Sequence, residues 1–178
     1  MNSRRRVDSE PAPSLGPAFD FLRLVWAVDH ALQQKSVEMH RTIGVTGPQR
    51  LVIRIVGLLP GMSVGRLAEI IGAHPSTATG LTKRLIRDGL LYTRSDPRDG
   101  RRLMLGLTPA GQAVEVGAPG TIEDAIQRLI AATPAADIAT AARVLESLCS
   151  VLTEGAVPRP TEGSTGPSKR PARARVRR

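Results

Sequence analysis

Apolar positions recur along most of this chain in steps of three and four, and once in steps of two. From about Pro17 to Ile43 the row Phe21, Val25, Val28, Leu32, Ser36, Met39 and Ile43 predicts one long amphipathic helix. A second row of Leu24, Ala27 and Ala31 widens its stripe beyond what one small domain covers, which points to a dimer interface. Thr46 and Gln49 have capping-box spacing and open a second helix that ends at Leu59-Pro60-Gly61. Ser63 caps a third, with Leu67, Ile70 and Ile71 apolar and Gly72 as its left-handed C-terminal residue. Pro75 suits the first turn of a fourth, whose buried row is Ala78, Leu81 and Leu85 and whose end is Gly89.

The period then changes. Leu103, Leu105 and Leu107 alternate with Arg102, Met104 and Gly106, so Leu90–Thr108 reads as a hairpin with one face on the core. Its loop, SDPRDGR, holds the turn formers Pro97, Asp99 and Gly100. Thr108 caps a fifth helix with Pro109 at its first position. Gly117-Ala118-Pro119-Gly120 interrupts that pattern, and a kink or break is expected there. Thr133 and Pro134 start a sixth helix, marked by Ile138, Ala141, Leu145, Leu148 and Leu152. Three of the four aromatics (Phe19, Phe21, Trp26) fall in the first helix, as core or interface residues.

Composition narrows the class. The chain has 178 residues, 41% of them hydrophobic, enough for one packed domain with tails. No run approaches the roughly 18 apolar residues that span a bilayer, and the N-terminus lacks the apolar segment of a secretory signal. The single cysteine, Cys149, sits beside Leu148 and Leu152 and reads as a buried structural residue, so a soluble cytoplasmic protein is expected. His30, His40 and His74 are too few and scattered for a metal site. No Ser-His-Asp arrangement and no phosphate-cradling glycine loop occurs, so neither an enzyme nor a cofactor is expected.

The net charge of +9 is unevenly placed. Residues 46–108 carry +6, residues 109–154 carry −4 and residues 155–178 carry +6. A basic patch confined to one folded segment is an electrostatic footprint for a polyanion. Within it, two short helices joined by a glycine turn and followed by the hairpin have the order of a helix-turn-helix with a wing. The outward face of the fourth helix offers Ser76, Thr77, Thr79, Lys83, Arg84 and Arg87 to bases and phosphates. Arg98 at the loop tip suits a minor groove, and Asp96 is placed to pair with Arg101 and brace the loop. Double-stranded DNA is the expected partner. The competing reading is a winged-helix protein-interaction module without sequence-specific DNA binding.

These residues resemble the MarR family of bacterial transcriptional regulators. The likeness covers about residues 20–152 and is carried by Asp96-x-Arg98-x-x-Arg101, Leu105-x-Leu107-Thr108-x-x-Gly111, Pro75-Ser76-Thr77 and Asp88-Gly89-Leu90. It implies a mainly α fold with a small β-hairpin wing, a winged helix-turn-helix flanked by N- and C-terminal dimerisation helices. The expected organisation is a disordered N-terminus (1–13), a dimerisation helix (14–45), the DNA-binding domain (46–108), C-terminal dimerisation helices (109–154) and a disordered basic tail (155–178). The tail is either a solubility segment or a source of nonspecific phosphate contacts. The resemblance further implies a homodimeric repressor on a near-palindromic operator, nucleoid-associated when bound, with helix four reading bases and Arg98 in the minor groove. Many relatives release DNA when a small, often phenolic, anion binds. A cleft lined by Trp26, His30, Arg50 and Met62 is the candidate site for an aromatic or anionic effector.

Overall fold

The computed structural model describes residues 13–97 and 99–154, with the backbone alone at 100–102 and 154. The chain divides into two compact units, residues 1–132 and 133–178. In the first unit the order is α1 (Pro17–Ile43), α2 (Gly47–Leu58), α3 (Val64–Ile71), α4 (Pro75–Arg87), β1 (Leu91–Asp96), β2 (Asp99–Leu107), α5 (Pro109–Glu115) and α6 (Ile122–Ala131). In the second unit the described element is α7 (Ala135–Glu154).

The start signals act as their chemistry dictates. Thr46 and Gln49 form a reciprocal capping box, the Gln49 N–H donating to Thr46 Oγ1 at 3.4 Å and the Thr46 N–H to Gln49 Oε1 at 2.9 Å. Ser63 accepts from the Arg66 amide and Thr108 from the Gly111 amide. At the start of α1, Asp20 accepts from the Ser14 hydroxyl at 2.7 Å and from the Leu15 amide, which together hold its carboxyl below the usual carboxylate range.

Val52, Ile53 and Val56 of α2, Leu67 of α3, Leu85 of α4 and Leu91 and Leu105 of the hairpin form one buried cluster with Val45 and Met62. Two further hydrogen bonds tie the hairpin to the α2–α3 turn, from the Gly61 amide to the Leu105 carbonyl (3.0 Å) and from the Leu105 amide to the Met62 carbonyl (2.8 Å). The hairpin's far half projects beyond this core. Leu103, expected on the core face, is therefore 53% exposed, although it shares the period of Leu105 and Leu107. The strands also run further than the expected SDPRDGR loop allows, to Asp96 and Asp99, with a register irregularity at Ser95/Asp96.

The expected interruption after α5 is a full break, so the described chain has seven helices rather than six. Pro119 and Gly120 (φ +75°) end one path, and Thr121 caps α6. The terminal carbonyls of α5 take guanidinium donors from α2. Arg50 donates to the carbonyls of Val114 and Val116, and Arg54 to that of Glu115 at 2.7 Å.

A further residue expected in the interior lies at the surface. Cys149 is exposed on α7, because no other described residue of its own unit covers that face of the helix. Phe19 and Trp26 on α1 are 63% and 68% exposed, while Met39 near its end is buried. Conversely, Thr82 is buried among apolar neighbours because its hydroxyl donates to the Ala78 carbonyl of its own helix.

Gly111 is demanded by close approach, since a Cβ there would lie 2.0 Å from the Leu90 carbonyl oxygen, whereas one at Gly117 meets nothing within 4 Å. Gly111→Ala is expected to cost about 1–3 kcal/mol or more, and Gly117→Ala to be neutral or slightly stabilising. Urea denaturation of the two variants beside the parent checks both; equal midpoints would refute the close approach.

Candidate nucleic-acid interface

The pair α3 and α4 is joined by Gly72 in the left-handed conformation (φ +61°), with the Ala73 amide returning to the Ala68 carbonyl. Helix α4 starts on Pro75 and ends in a glycine motif. The Gly89 amide donates to the Ile86 carbonyl and the Leu90 amide to the Leu85 carbonyl, with Gly89 at φ +72°. That reversal sends the chain directly into β1. Thr108, at the far end of the hairpin, closes the loop by donating its hydroxyl to the Gly89 carbonyl at 2.6 Å and its amide to the Leu90 carbonyl at 3.1 Å. The wing is thus bonded to the end of the helix it accompanies.

On α4, Ser76, Thr77, Lys83, Arg84 and Arg87 are exposed and Thr79 is half-buried, its hydroxyl donated to the Pro75 carbonyl at 2.8 Å. Arg98 lies outside the described residues, as does the side chain of Arg101. Asp96 stands opposite Asp99 at the register irregularity.

Pairing separates the cations of this segment into two groups. Arg54 pairs with Glu115, Arg66 with Glu69 at 2.8 Å and Arg50 with Glu123 at 2.8 Å. Arg87 reaches Asp88 at 3.3 Å, an exposed pair held so weakly that a phosphate can take the cation over. Among the described residues of 46–97, Lys83, Arg84 and Arg94 have no carboxylate within 4.0 Å. Arg94 was not among the expected contacts. Its signal was its place in β1, two residues before Asp96, with an exposed side chain. The unneutralised charge therefore sits on α4 and the wing.

The four proposed effector residues are not brought together. Met62 belongs to the core and Arg50 is 2% exposed, while Trp26 and His30 lie on the open surface of α1. Arg50 is consumed by two carbonyls and by Glu123; its Nε and the carboxylate oxygen are close enough to pair but off the angle of a hydrogen bond. A different concavity, of about 630 Å³, lies where the ends of α1 and α4 meet the start of α2. Its lining combines His40, Arg84, Arg87 and the carboxylate of Asp88 with Ile43, Val45 and Leu90. Among the described residues no group of three or more His, Cys, Asp or Glu could hold a metal ion, and no helix is long and apolar enough to cross a membrane.

A helix-turn-helix followed directly by a two-stranded antiparallel hairpin defines a winged-helix fold. Residues 43–102 match the model of the MarR family. No curated protein matches it in sequence. Its fold is similar to that of the PcaV transcriptional regulator from Streptomyces coelicolor, solved with its natural ligand (TM-score 0.59, 27% identity, 82% of this chain and 99% of that one). It is also similar to S. aureus MepR in complex with DNA (TM-score 0.62, 20% identity, 74% and 97%). A third similar structure is Streptococcus pneumoniae FabT in complex with DNA (TM-score 0.58, 17% identity, 77% and 97%).

The buried pairing of Arg50 makes it a structural residue. Arg50→Ala is expected to destabilise the chain by about 3–5 kcal/mol, because it strands Glu123 and two helix-end carbonyls. Thermal unfolding of the variant measures this, and an unchanged midpoint would return Arg50 to the list of free cations.

Proposed function

We propose that the chain is a homodimeric repressor that binds a near-palindromic operator and leaves it when a small effector binds. One winged helix per subunit lies on each of two adjacent major grooves. Helix α4 enters the groove with Ser76, Thr77 and Thr79 towards base edges. Lys83, Arg84, Arg87 and Arg94 hold the flanking phosphates, and Arg98 enters the minor groove, braced by Asp96 and Arg101. The observation that carries this reading is the segregation of charge: Arg50, Arg54 and Arg66 are paired, whereas among the described residues Lys83, Arg84 and Arg94 have no carboxylate within 4.0 Å and Arg87 has only the exposed Asp88. The exposed apolar face of α1 supports the dimer, since a stripe of that size on a regulator's surface is covered by another chain.

The effector reading moves from Trp26, His30, Arg50 and Met62 to the concavity beside α4. An anion held there engages Arg84 and Arg87, which the operator phosphates also need, so ligand and DNA compete for the same guanidinium groups.

Arg98→Ala is expected to weaken operator binding by roughly 1–3 kcal/mol without unfolding the protein. Lys83→Ala and Arg94→Ala are expected to weaken binding evenly across sequences and to reduce the slope of log affinity against log salt by about one each. Gel shifts over a salt series, using the region upstream of the chain's own gene and a random duplex, check both. Affinity for the upstream region no higher than for random DNA would favour a protein-interaction module instead.

Titration calorimetry with salicylate-like anions is expected to give a binding heat that disappears in Arg84→Ala. A silent titration, with DNA binding undisturbed, would remove the effector.

A further inference from the structure

Ser76 stands at the second position of α4, and both of its polar groups meet one atom. Its backbone N–H donates to His74 Nδ1 at 3.3 Å, and its hydroxyl oxygen lies 2.8 Å from the same nitrogen. A backbone amide can only donate, so Nδ1 is an acceptor and the neutral ring carries its proton on Nε2. An unprotonated Nδ1 has no hydrogen to give to Ser76. The hydroxyl hydrogen therefore points at the ring, and only the oxygen lone pairs are left to face outward. Thr77 differs: among the described residues its hydroxyl has no such partner and keeps both donor and acceptor capacity.

We propose that His74 fixes the hydrogen-bond polarity of Ser76, making the serine an acceptor that selects an exocyclic amine, of adenine or cytosine, in the major groove. Adenine N6 and cytosine N4 are donors there, whereas guanine O6 and N7 and thymine O4 are acceptors that an outward lone pair repels. His74 is thus a positioning residue. It caps the recognition helix through the Ser76 amide and acts on sequence choice through the Ser76 hydroxyl, without touching a base. The inference rests on the DNA-reading function proposed for α4.

Asparagine supplies the test, because its Oδ1 can accept from both the amide and the hydroxyl, whereas alanine accepts from neither. Full-length parent, Ser76→Ala, His74→Ala and His74→Asn proteins, each confirmed folded by circular dichroism, are used to select from a randomised duplex library. The parent is expected to enrich adenine or cytosine roughly fivefold at one position of each half-site, the worth of about one hydrogen bond. Ser76→Ala locates that position by losing the preference. His74→Ala is expected to lose it as well, and His74→Asn to keep it. Without DNA, ¹⁵N spectra of the imidazole are expected to show Nδ1 unprotonated.

The proposal is overturned by a protonated Nδ1, by His74→Ala selecting as the parent does, or by His74→Asn losing the preference as fully as His74→Ala, which would place the imidazole itself on the DNA. Guanine or thymine at the Ser76 position overturns it while leaving the DNA-reading function intact. A parent that enriches no sequence removes both.

Discussion

The carbonyl oxygen of Leu90 is the joint on which the arrangement depends. It lies one residue past the left-handed Gly89 that ends α4, it accepts the Thr108 amide that closes the hairpin, and it occupies the space where a Gly111 side chain would stand. Recognition helix, wing and α5 therefore meet at one backbone group. None of the three can turn without breaking a hydrogen bond or meeting the next element. A wing held in this way has a set angle to its helix, and under the proposed DNA-binding function that angle would let both enter neighbouring grooves of one duplex without a separate ordering cost at each contact.

A second constraint divides the arginines. A guanidinium inside a small core must spend its donors on carbonyls and carboxylates, because an unpaired buried charge costs several kcal/mol. Arg50 and Arg54 are spent on the end of α5 and on Glu123 and Glu115. The break after α5 depends on them, since a helix that stops at Glu115 leaves carbonyls without intrahelical partners. The net +6 of residues 46–108 thus overstates what a partner meets. Part of that charge is internal structure, and the external part is concentrated on α4 and β1.

This division was only half legible in the sequence. Caps and breakers act over a few residues, so Thr46, Ser63, Gly72, Gly89, Thr108 and the Gly117–Gly120 interruption could be placed from local chemistry alone. Burial depends on what lies across the fold. Leu103 has the period of Leu105 but projects past the core, and Cys149 has apolar neighbours on a helix that no other described residue of its unit covers. Arg50 fails as an effector residue for the same reason: its carbonyl partners are more than sixty residues away in the chain. The roles proposed for Arg94 and His74 were not legible in the sequence, because a strand arginine and a histidine before a proline carry no motif. Their roles follow from an absent carboxylate and from one lone pair.

The position of the concavity beside α4 links the two proposed activities through shared atoms rather than through a long relay. Arg84 and Arg87 stand on the recognition helix and also line the cleft with His40. An effector there need not move the wing or strain the Leu90 joint to oppose DNA. Each guanidinium turned towards a bound anion is one fewer for a phosphate, and the lost contacts weaken DNA in proportion to the counterions they would have released. The coupling is reciprocal, so operator binding must lower effector affinity by the same factor. Such a device needs only a stable winged helix with side chains that can face either way. The weak Arg87–Asp88 pair fits that requirement, as does the lack of a carboxylate within 4.0 Å of Arg84 among the described residues.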